Sequence, residues 1–208
     1  MKVAMFGATG RTGSRVLRRL LDRGDRVRAL ARDPSRLASH PALEAVAGDA
    51  GDAAAVARTL AGADAIVVCL GMDDITRPGT AFSDAVRGIA DAAGAAGVRR
   101  LVAIASAGAL PHHGGGLRGE QGGGGPYANV NAEHARNYRT LAGSRLDWTL
   151  MCPVDLVDDI PAGRARWAYE ALPAGSSQTG YDDLAATIVA LLAEPASYRQ
   201  RVGIVSVR

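Results

Sequence analysis

Short apolar runs alternate with amphipathic stretches along most of the chain. Residues 2–6 form the first apolar run, and a turn containing three glycines follows it. Residues 14–24 then place apolar side chains at the three- and four-residue spacing of one helix face, namely Val16, Leu17, Leu20 and Leu21. This order predicts a buried strand, a tight turn and a helix.

The same alternation continues along the chain. Apolar runs predict further strands at 26–31, 43–47, 65–70, 100–104, 147–151 and 202–206. Helices are predicted at 52–60, with Asp52 as N-cap, and at 80–96, 127–142 and 181–192. This alternation is typical of an α/β fold with a doubly wound, mostly parallel sheet of the Rossmann type. A chain of 208 residues fits one such domain, spanning residues 1–208.

The alternation weakens after Pro153. Residues 153–180 are therefore predicted to form a small C-terminal segment on the substrate side of the sheet. Trp167 and Tyr169 lie in this segment. These aromatic residues fit either the wall of a substrate-facing cap or the packing of an edge strand.

The first turn has glycines at positions 7, 10 and 13, between the first strand and the first helix. Glycines permit a tight turn and a close approach of the backbone to a pyrophosphate. The N–H groups at the start of the helix supply a positive end for the phosphates. The pattern in this context predicts a dinucleotide site. A glycine-rich turn that binds nothing is the alternative.

The end of the second predicted strand bears on the choice of dinucleotide. A carboxylate there would accept hydrogen bonds from the ribose hydroxyls and select NAD. The strand instead ends at Arg32, and Asp33 comes one place later. Arg11, within the glycine turn, offers a second guanidinium, and two arginines suit a grip on a 2′-phosphate. NADP(H) is therefore favoured over NAD(H).

Composition and charge change this picture little. The formal charge of +3 comes from scattered arginines without interleaved aromatic residues, which argues against nucleic-acid binding. We also expect no membrane span and a cytoplasmic location, because no apolar run reaches ~20 residues and no leader pattern opens the chain. Cys69 and Cys152 lie in apolar runs far apart in sequence, so both are predicted to be core residues.

Ser106 follows the fifth predicted strand, at the edge of the sheet where open α/β folds bind their ligands. A standard short-chain dehydrogenase would add a tyrosine with a lysine four residues later. Here Asn131 follows Tyr127 at that spacing, and Lys2 is the only lysine in the chain. The composition therefore excludes a Ser-Tyr-Lys mechanism.

Residues 110–126 are predicted to form a flexible, glycine-rich loop. Eight of the twelve residues 114–125 are glycine, a composition that favours mobility. The loop follows the fifth strand, so it fits a lid over the substrate site, and a tolerated surface insertion is the alternative. No carboxylate or cysteine accompanies His112 and His113 at ligand spacing, so no metal site is predicted.

Four segments together resemble a known family. They are Gly-Ala-Thr-Gly-Arg-Thr-Gly at 7–13, Ala-Arg-Asp-Pro at 31–34, Ala-Ser-Ala at 105–107 and Leu-Asp-Trp-Thr-Leu-Met-Cys-Pro at 146–153. The chain is similar to the atypical short-chain dehydrogenase/reductases with an NAD(P)H-binding, NmrA-like domain. Within that group it looks most like the biliverdin-IX-beta/flavin reductase type. The resemblance covers residues 1–110 and 127–208.

The resemblance implies a set of site residues. It places the phosphates on Gly7, Thr9, Gly10, Arg11 and Thr12, and the 2′-phosphate on Arg32. The adenine would lie by Asp49 and Ala50, and the nicotinamide ribose by Leu70 and Gly71. The nicotinamide would lie beside Ser106, with its carboxamide against Cys152, Pro153 and Val154. In the flavin-reductase type a histidine commonly replaces the lysine, and His134 occupies that place, ten residues before Ser144. His134 is then a general acid, a ribose ligand or an ordinary helix residue. Ser106 and His134 are the predicted catalytic residues.

These features predict an NADPH-dependent reductase that delivers hydride to a planar small molecule such as a flavin, a quinone or a tetrapyrrole. Such an acceptor needs little acid from the protein, because water can protonate the product. A non-catalytic NADP(H)-binding sensor and a ketoreductase acting on a biosynthetic intermediate are the alternatives. The protein is expected to be a monomer or a homodimer.

Overall fold

An eight-stranded sheet runs through the middle of the computed structural model, which describes residues 1–72, 74–121 and 125–207. Its strands, in chain order, are β1 (Lys2–Phe6), β2 (Arg26–Ala31), β3 (Leu43–Ala47), β4 (Ala65–Val68), β5 (Arg100–Ile104), β6 (Asp147–Pro153), β8 (Ala165–Tyr169) and β10 (Gln200–Ser206). Two further strands, β7 (Asp155–Val157) and β9 (Gln178–Gly180), form a separate parallel pair.

The strand order in the large sheet is β3-β2-β1-β4-β5-β6-β10-β8. All neighbours are parallel except β10 and β8. The chain winds outward from β1 through β2 to β3 and then returns to start again at β4 on the other side of β1. The direction of winding therefore reverses between β1 and β4, and ligands of α/β sheets bind at the carboxyl ends of the strands at such a point.

Helices cover both faces of the sheet. The helices of the described residues are α1 (Arg11–Asp22), α2 (Ala53–Leu60), α3 (Ala81–Ala95), α4 (Ala128–Gly143) and α5 (Tyr181–Leu191). Helices α2, α3 and α4 contribute Val56, Val86 and Leu141 to one apolar core. Helices α1 and α5 contribute Leu20 and Leu184 to the core on the other face. The doubly wound, mostly parallel α/β fold is confirmed.

Local chemistry explains where α2 begins. One carboxylate oxygen of Asp52 accepts hydrogen bonds from the backbone N–H of Ala54 at 2.9 Å and of Ala55 at 3.3 Å. These bonds satisfy N–H groups that have no partner within the helix. The predicted N-cap is therefore confirmed.

The C-terminal half of the sheet ends in an antiparallel edge strand. β8 pairs only with β10, with Trp167 opposite Ile204. Trp167 keeps 43% of its surface exposed, and its ring centroid lies 5.3 Å from that of Tyr169. Of the two interpretations of these aromatic residues, edge-strand packing is the one that the structure shows.

The described part of the glycine-rich segment is folded. Leu110 and Leu117 are buried, and the N–H of Arg118 donates to the carbonyl of Leu110 at 2.9 Å. Glu120 forms an ion pair with Arg139 of α4. Residues 110–121 therefore make specific contacts with the body of the protein, in which Leu110 and Leu117 supply apolar contacts that glycines lack, and the flexibility of 110–126 stays a prediction. The rest of the predicted loop includes 122–124, which lie outside the described residues, and its role as a lid stays a prediction.

Both cysteines are free, Cys152 is buried and Cys69 is half-buried. Within the described ranges, His, Cys, Asp and Glu side chains do not gather in groups of three or more that would suit a metal ion. None of the helices in these ranges has the length and apolar character that crossing a bilayer requires.

Candidate functional site

The turn after β1 is built on two close backbone contacts. Gly7 has a φ of +83°, and a Cβ there would lie 2.4 Å from the carbonyl oxygen of Cys69. A Cβ on Gly13 would lie 1.9 Å from the carbonyl oxygen of Gly7. Only glycine fits at either position. The start of α1 therefore lies directly against the end of β1.

The amino end of α1 faces this turn, and its first N–H groups are not capped by a side chain of the N-cap residue or by an acidic residue of the first turn. Gly10 is the N-cap residue and offers no side-chain acceptor, and the first turn of α1 contains no acidic residue. The first N–H groups of a helix carry partial positive charge and need acceptors. A phosphate at the turn would supply them, so the turn fits the pyrophosphate of a dinucleotide.

A cavity of about 370 Å³ opens beside the turn, at the carboxyl ends of β1, β2 and β4. Seven of the predicted cofactor residues line it, namely Gly7, Thr9, Arg32, Asp49, Ala50, Leu70 and Gly71. The other predicted residues are not part of its wall; they are Gly10, Arg11, Thr12, Ser106, Cys152, Pro153 and Val154. The cavity therefore unites residues that the resemblance assigned to the phosphates, the 2′-phosphate, the adenine and the nicotinamide ribose, and none of those assigned to the nicotinamide ring or its carboxamide.

Arg32 and Asp33 have different roles at the end of β2. Arg32 is exposed and lines the cavity, whereas Asp33 is not part of its wall. The carboxylate of Asp33 accepts hydrogen bonds from the hydroxyl of Ser35 at 2.6 Å and from its backbone N–H at 3.1 Å. These bonds lower the pKa of Asp33. Asp33 thus stabilises its own turn, and Arg32 is the charge that faces the cavity.

A second arginine of the cavity, Arg77, was missed by sequence reasoning. It lies in the connection between β4 and α3. The side-chain amide of Asn129, in α4, donates to the carbonyls of Ile75 at 3.3 Å and Thr76 at 2.9 Å, which holds this connection in place. Nothing in the local sequence around Arg77 indicates that it shares a cavity with Arg32.

Arg11 is not in the cavity wall that contains Arg32, so this wall does not bring together the two arginines of the predicted joint grip on a 2′-phosphate. The guanidinium carbon of Arg11 lies 4.9 Å from the ring centroid of Tyr181, the first residue of α5. Arg11 is not part of the cavity wall. The first residue of α1 turns its side chain towards Tyr181, at the start of α5. A role of Arg11 at the pyrophosphate stays a prediction.

Ser106 begins a short 3-10 helix after β5, and its hydroxyl has two partners. The hydroxyl donates to the side-chain oxygen of Asn131 at 3.2 Å and accepts from the N–H of Gly108 at 3.2 Å. A Cβ on Gly108 would lie 2.4 Å from that same Asn131 oxygen, so Asn131 is closely enclosed. Helix α4 therefore orients the predicted catalytic serine through Asn131.

His134 is almost enclosed between α4 and α3. It is 7% exposed, and its ring meets the ring of Phe82 edge-on at 5.4 Å. Burial lowers the pKa of His134 to about 4, so the imidazole is neutral near pH 7. Its Nδ1 has no hydrogen-bond partner among the described residues. A neutral, buried ring that is not part of the cavity wall is not arranged as a general acid, and the roles of ribose ligand and ordinary helix residue stay predictions.

Glu133 is a buried carboxylate that the sequence did not single out. It lines the cavity and accepts hydrogen bonds from the N–H of Ser83 at 2.8 Å and from its hydroxyl at 2.9 Å. Burial alone would raise the pKa of Glu133, but the bonds from Arg136 and Ser83 outweigh it and hold the pKa below the usual value. The carboxylate is thus committed to joining α3 and α4.

The end of β6 carries the residues predicted to face the nicotinamide carboxamide. The side chain of Cys152 is buried in the apolar core, and its thiol lies 3.4 Å from the carbonyl of Leu150. Burial raises the pKa of this thiol, so it is unreactive. A contact from Cys152 to a cofactor would therefore come from the backbone.

Comparison with known proteins agrees with this geometry. The model of a protein family described as NAD(P)H-binding matches residues 7–195. A (4-alkanoyl-5-oxo-2,5-dihydrofuran-3-yl)methyl phosphate reductase of Streptomyces griseus is 44% identical over 103 residues, which are 49% of this chain and 33% of that protein. The chain spans a third or less of the length of the curated relatives it matches.

Two solved structures share the fold over nearly their whole length. A candidate exported protein from Burkholderia pseudomallei has 29% identity and a TM-score of 0.83, with 99% of each chain covered. A candidate NADH-flavin reductase from Streptococcus pneumoniae has 21% identity and a TM-score of 0.83, again with 99% of each chain covered. The second likeness shows the fold alone.

The close contact between Gly13 and Gly7 leads to a first prediction, on the free energy of unfolding. Gly13→Ala should lower the free energy of unfolding by about 1–3 kcal/mol, because the methyl group forces α1 away from the turn. Gly88→Ala is the matched control, since Gly88 lies in α3 with open space at its Cβ position. It should raise stability by about 0.5–1 kcal/mol. Urea unfolding of the two variants measures both effects, and equal stability would contradict the argument.

The burial of His134 leads to a second prediction, on how the stability of the protein depends on pH. An unfolded histidine takes up a proton near pH 6.5, whereas His134 in the folded state does so only near pH 4. Stability is therefore lost as pH falls from 6.5 towards 4, by about 2 kcal/mol at pH 5 from this group. His134→Gln should remove this part of the pH dependence in urea unfolding. The same change at exposed His40 should leave it, and an unchanged slope in His134→Gln would refute the argument.

Proposed function

This chain belongs to the NAD(P)H-binding family, and on that premise we propose that it is an NADPH-dependent reductase that transfers hydride to a planar small molecule. The observation that carries the proposal is the exposed Arg32 in the cavity beside the glycine turn, with the carboxylate of Asp33 bound to Ser35. A guanidinium suits a 2′-phosphate, whereas a free carboxylate at that place would favour NAD.

Different residues around the turn bind different parts of the cofactor. The N–H groups at the start of α1 bind the pyrophosphate, and Arg32 and Arg77 bind the adenosine end with its 2′-phosphate. Leu70 and Gly71, at the cavity wall, lie towards the nicotinamide ribose.

The chemistry of the nicotinamide side supports a planar acceptor. NADPH supplies the hydride when it is bound, and the protein orients it. Ser106 has its hydroxyl committed to Asn131, and His134 is neutral and buried. Neither residue is arranged as a strong proton donor, which a ketone would need. A flavin or a quinone can instead be protonated by water after hydride transfer.

The relatives support the same class of reaction. The Streptomyces griseus relative is named a reductase, and the Streptococcus pneumoniae neighbour is named for flavin reduction. We place the acceptor between Ser106 and the segment 153–180, with the whole chain acting as one domain. The monomer or homodimer expected from the sequence remains part of this proposal.

An assay of NADPH oxidation tests the reaction. We expect loss of the nicotinamide absorbance band when the protein is mixed with NADPH and a flavin or a quinone. Ser106→Ala should slow turnover more than it weakens NADPH binding, because Ser106 lies at the acceptor end. Tight NADPH binding with no oxidation across a panel of flavins, quinones and ketones would overturn the reductase and favour a sensor.

Arg32 gives a separate test of cofactor choice. Arg32→Asp should weaken NADPH binding by about ten- to a hundredfold, because it removes charge-assisted hydrogen bonds to the 2′-phosphate. NADH binding should change little. Arg36→Asp is the matched control, because Arg36 is exposed close by and is not part of the cavity wall. Titration of both cofactors measures the ratio, and an equal loss for NADPH and NADH would contradict the assignment.

A further inference from the structure

Two arginines of α1 lie against one aromatic ring of α5. The guanidinium carbons of Arg11 and Arg15 lie 4.9 Å and 5.3 Å from the ring centroid of Tyr181. We infer that Tyr181 is a positioning residue for cofactor binding, which holds the guanidinium of Arg11 at the phosphate turn. The inference rests on the proposed function, because the anion that Arg11 meets there is the pyrophosphate of NADPH. We call Arg11, Arg15 and Tyr181 the arginine–tyrosine stack.

Arg11 is placed to add its charge to the amino end of α1. It is the first residue of the helix, directly after Gly10, and its side chain is exposed. No carboxylate pairs with Arg11 among residues 1–72, 74–121 and 125–207. Tyr181 is 4% exposed, so its ring is a fixed surface. A cation over the face of a fixed aromatic ring is attracted to it, and a long exposed side chain is thereby restricted.

Arg15 differs from Arg11 in that its charge is neutralised. Its guanidinium donates to Asp158 at 2.7 Å and to Asp182 at 3.2 Å. A third bond runs to the backbone carbonyl of Arg11 at 2.9 Å. Arg15 therefore anchors the stack, and Arg11 carries the charge that remains for a ligand.

The ring of Tyr181 stays uncharged under ordinary conditions. Burial raises the pKa of its hydroxyl, and this effect outweighs the opposite influence of Arg11. A neutral phenol at neutral pH keeps the electron-rich face that attracts guanidinium groups. The stack therefore does not depend on a tyrosinate, and phenylalanine at this position would serve equally well.

The stack joins the phosphate turn to the segment on the substrate side. Asp158 directly follows β7, and Tyr181 directly follows β9, its parallel partner. Asp158 binds Arg15 of α1, and the ring of Tyr181 contacts both Arg11 and Arg15. A ligand that binds the segment 153–180 and fixes its position would therefore also fix the side chain of Arg11. By linkage, bound NADPH would raise the affinity for that ligand by the same factor.

Variants of Tyr181 test the inference through the dissociation constant of NADPH. Tyr181→Leu removes the aromatic face at similar bulk and should weaken NADPH binding about fivefold. Tyr181→Phe keeps the face and should bind NADPH like the unmodified protein. Thermal unfolding of each variant checks that the fold is intact. Equal losses in the two variants would overturn the inference, because Tyr181→Phe keeps the aromatic face that is argued to hold Arg11.

A double-mutant cycle with Arg11 sharpens the test. Arg11→Gln alone should weaken NADPH binding several-fold, and this measurement leaves α5 untouched if Tyr181→Leu fails to fold. In the Arg11→Gln background, Tyr181→Leu should have no further effect. A loss that persists in that background would show that Tyr181 acts by another route and would overturn the inference.

A matched pair of variants tests the link between the arginine–tyrosine stack and the segment 153–180. Asp158→Asn removes one of the two carboxylates that bind Arg15, so the stack is anchored less firmly, and it should weaken NADPH binding about twofold. Asp155→Asn is the control, because Asp155 is exposed in β7 and makes no side-chain contact among the described residues. Failure of the unmodified protein to bind NADPH would overturn the proposed function itself. Normal NADPH binding by both Tyr181→Leu and Arg11→Gln would overturn only the inference about the stack.

Discussion

The close approach of α1 to the end of β1 is the contact on which the site depends. A hydrogen atom in place of a side chain at Gly13 lets the helix begin against the carbonyl of Gly7. This contact directs the first N–H groups of α1 to the carboxyl edge of the sheet, where the winding direction reverses. It also sets where Arg11 leaves the helix. The cavity, the anion-binding helix end and the arginine–tyrosine stack all follow from it.

The arginines around this turn differ in the groups that their guanidiniums contact. Arg32 and Arg77 face the cavity, Arg11 lies on Tyr181, and Arg15 is neutralised by two carboxylates. The cavity wall also carries Asp49, Asp74 and Glu133, so its charge is mixed. The other end of the site holds a neutral imidazole and a hydrogen-bonded serine.

Local signals explain why so much of the fold was predictable. The strand over 100–104 and the helix beginning after Asp52 match the structure, because their apolar spacing and capping chemistry lie within a few residues. The glycine turn is equally local. The burial of Leu110 and Leu117 was not foreseen, because it depends on α4 and the rest of the fold and not on the glycine-rich sequence around them.

By itself, the sequence determined the α/β alternation, the dinucleotide turn, the arginine at the end of β2 and the lack of a lysine for the usual mechanism. Only the tertiary structure decided which of these side chains meet. Arg77 joins Arg32, whereas Arg11 does not, and His134 is enclosed against Phe82. The reason is physical: such distances depend on how crossovers place strands side by side and how helices pack on the sheet. Residues far apart in the chain carry no local sign of that arrangement.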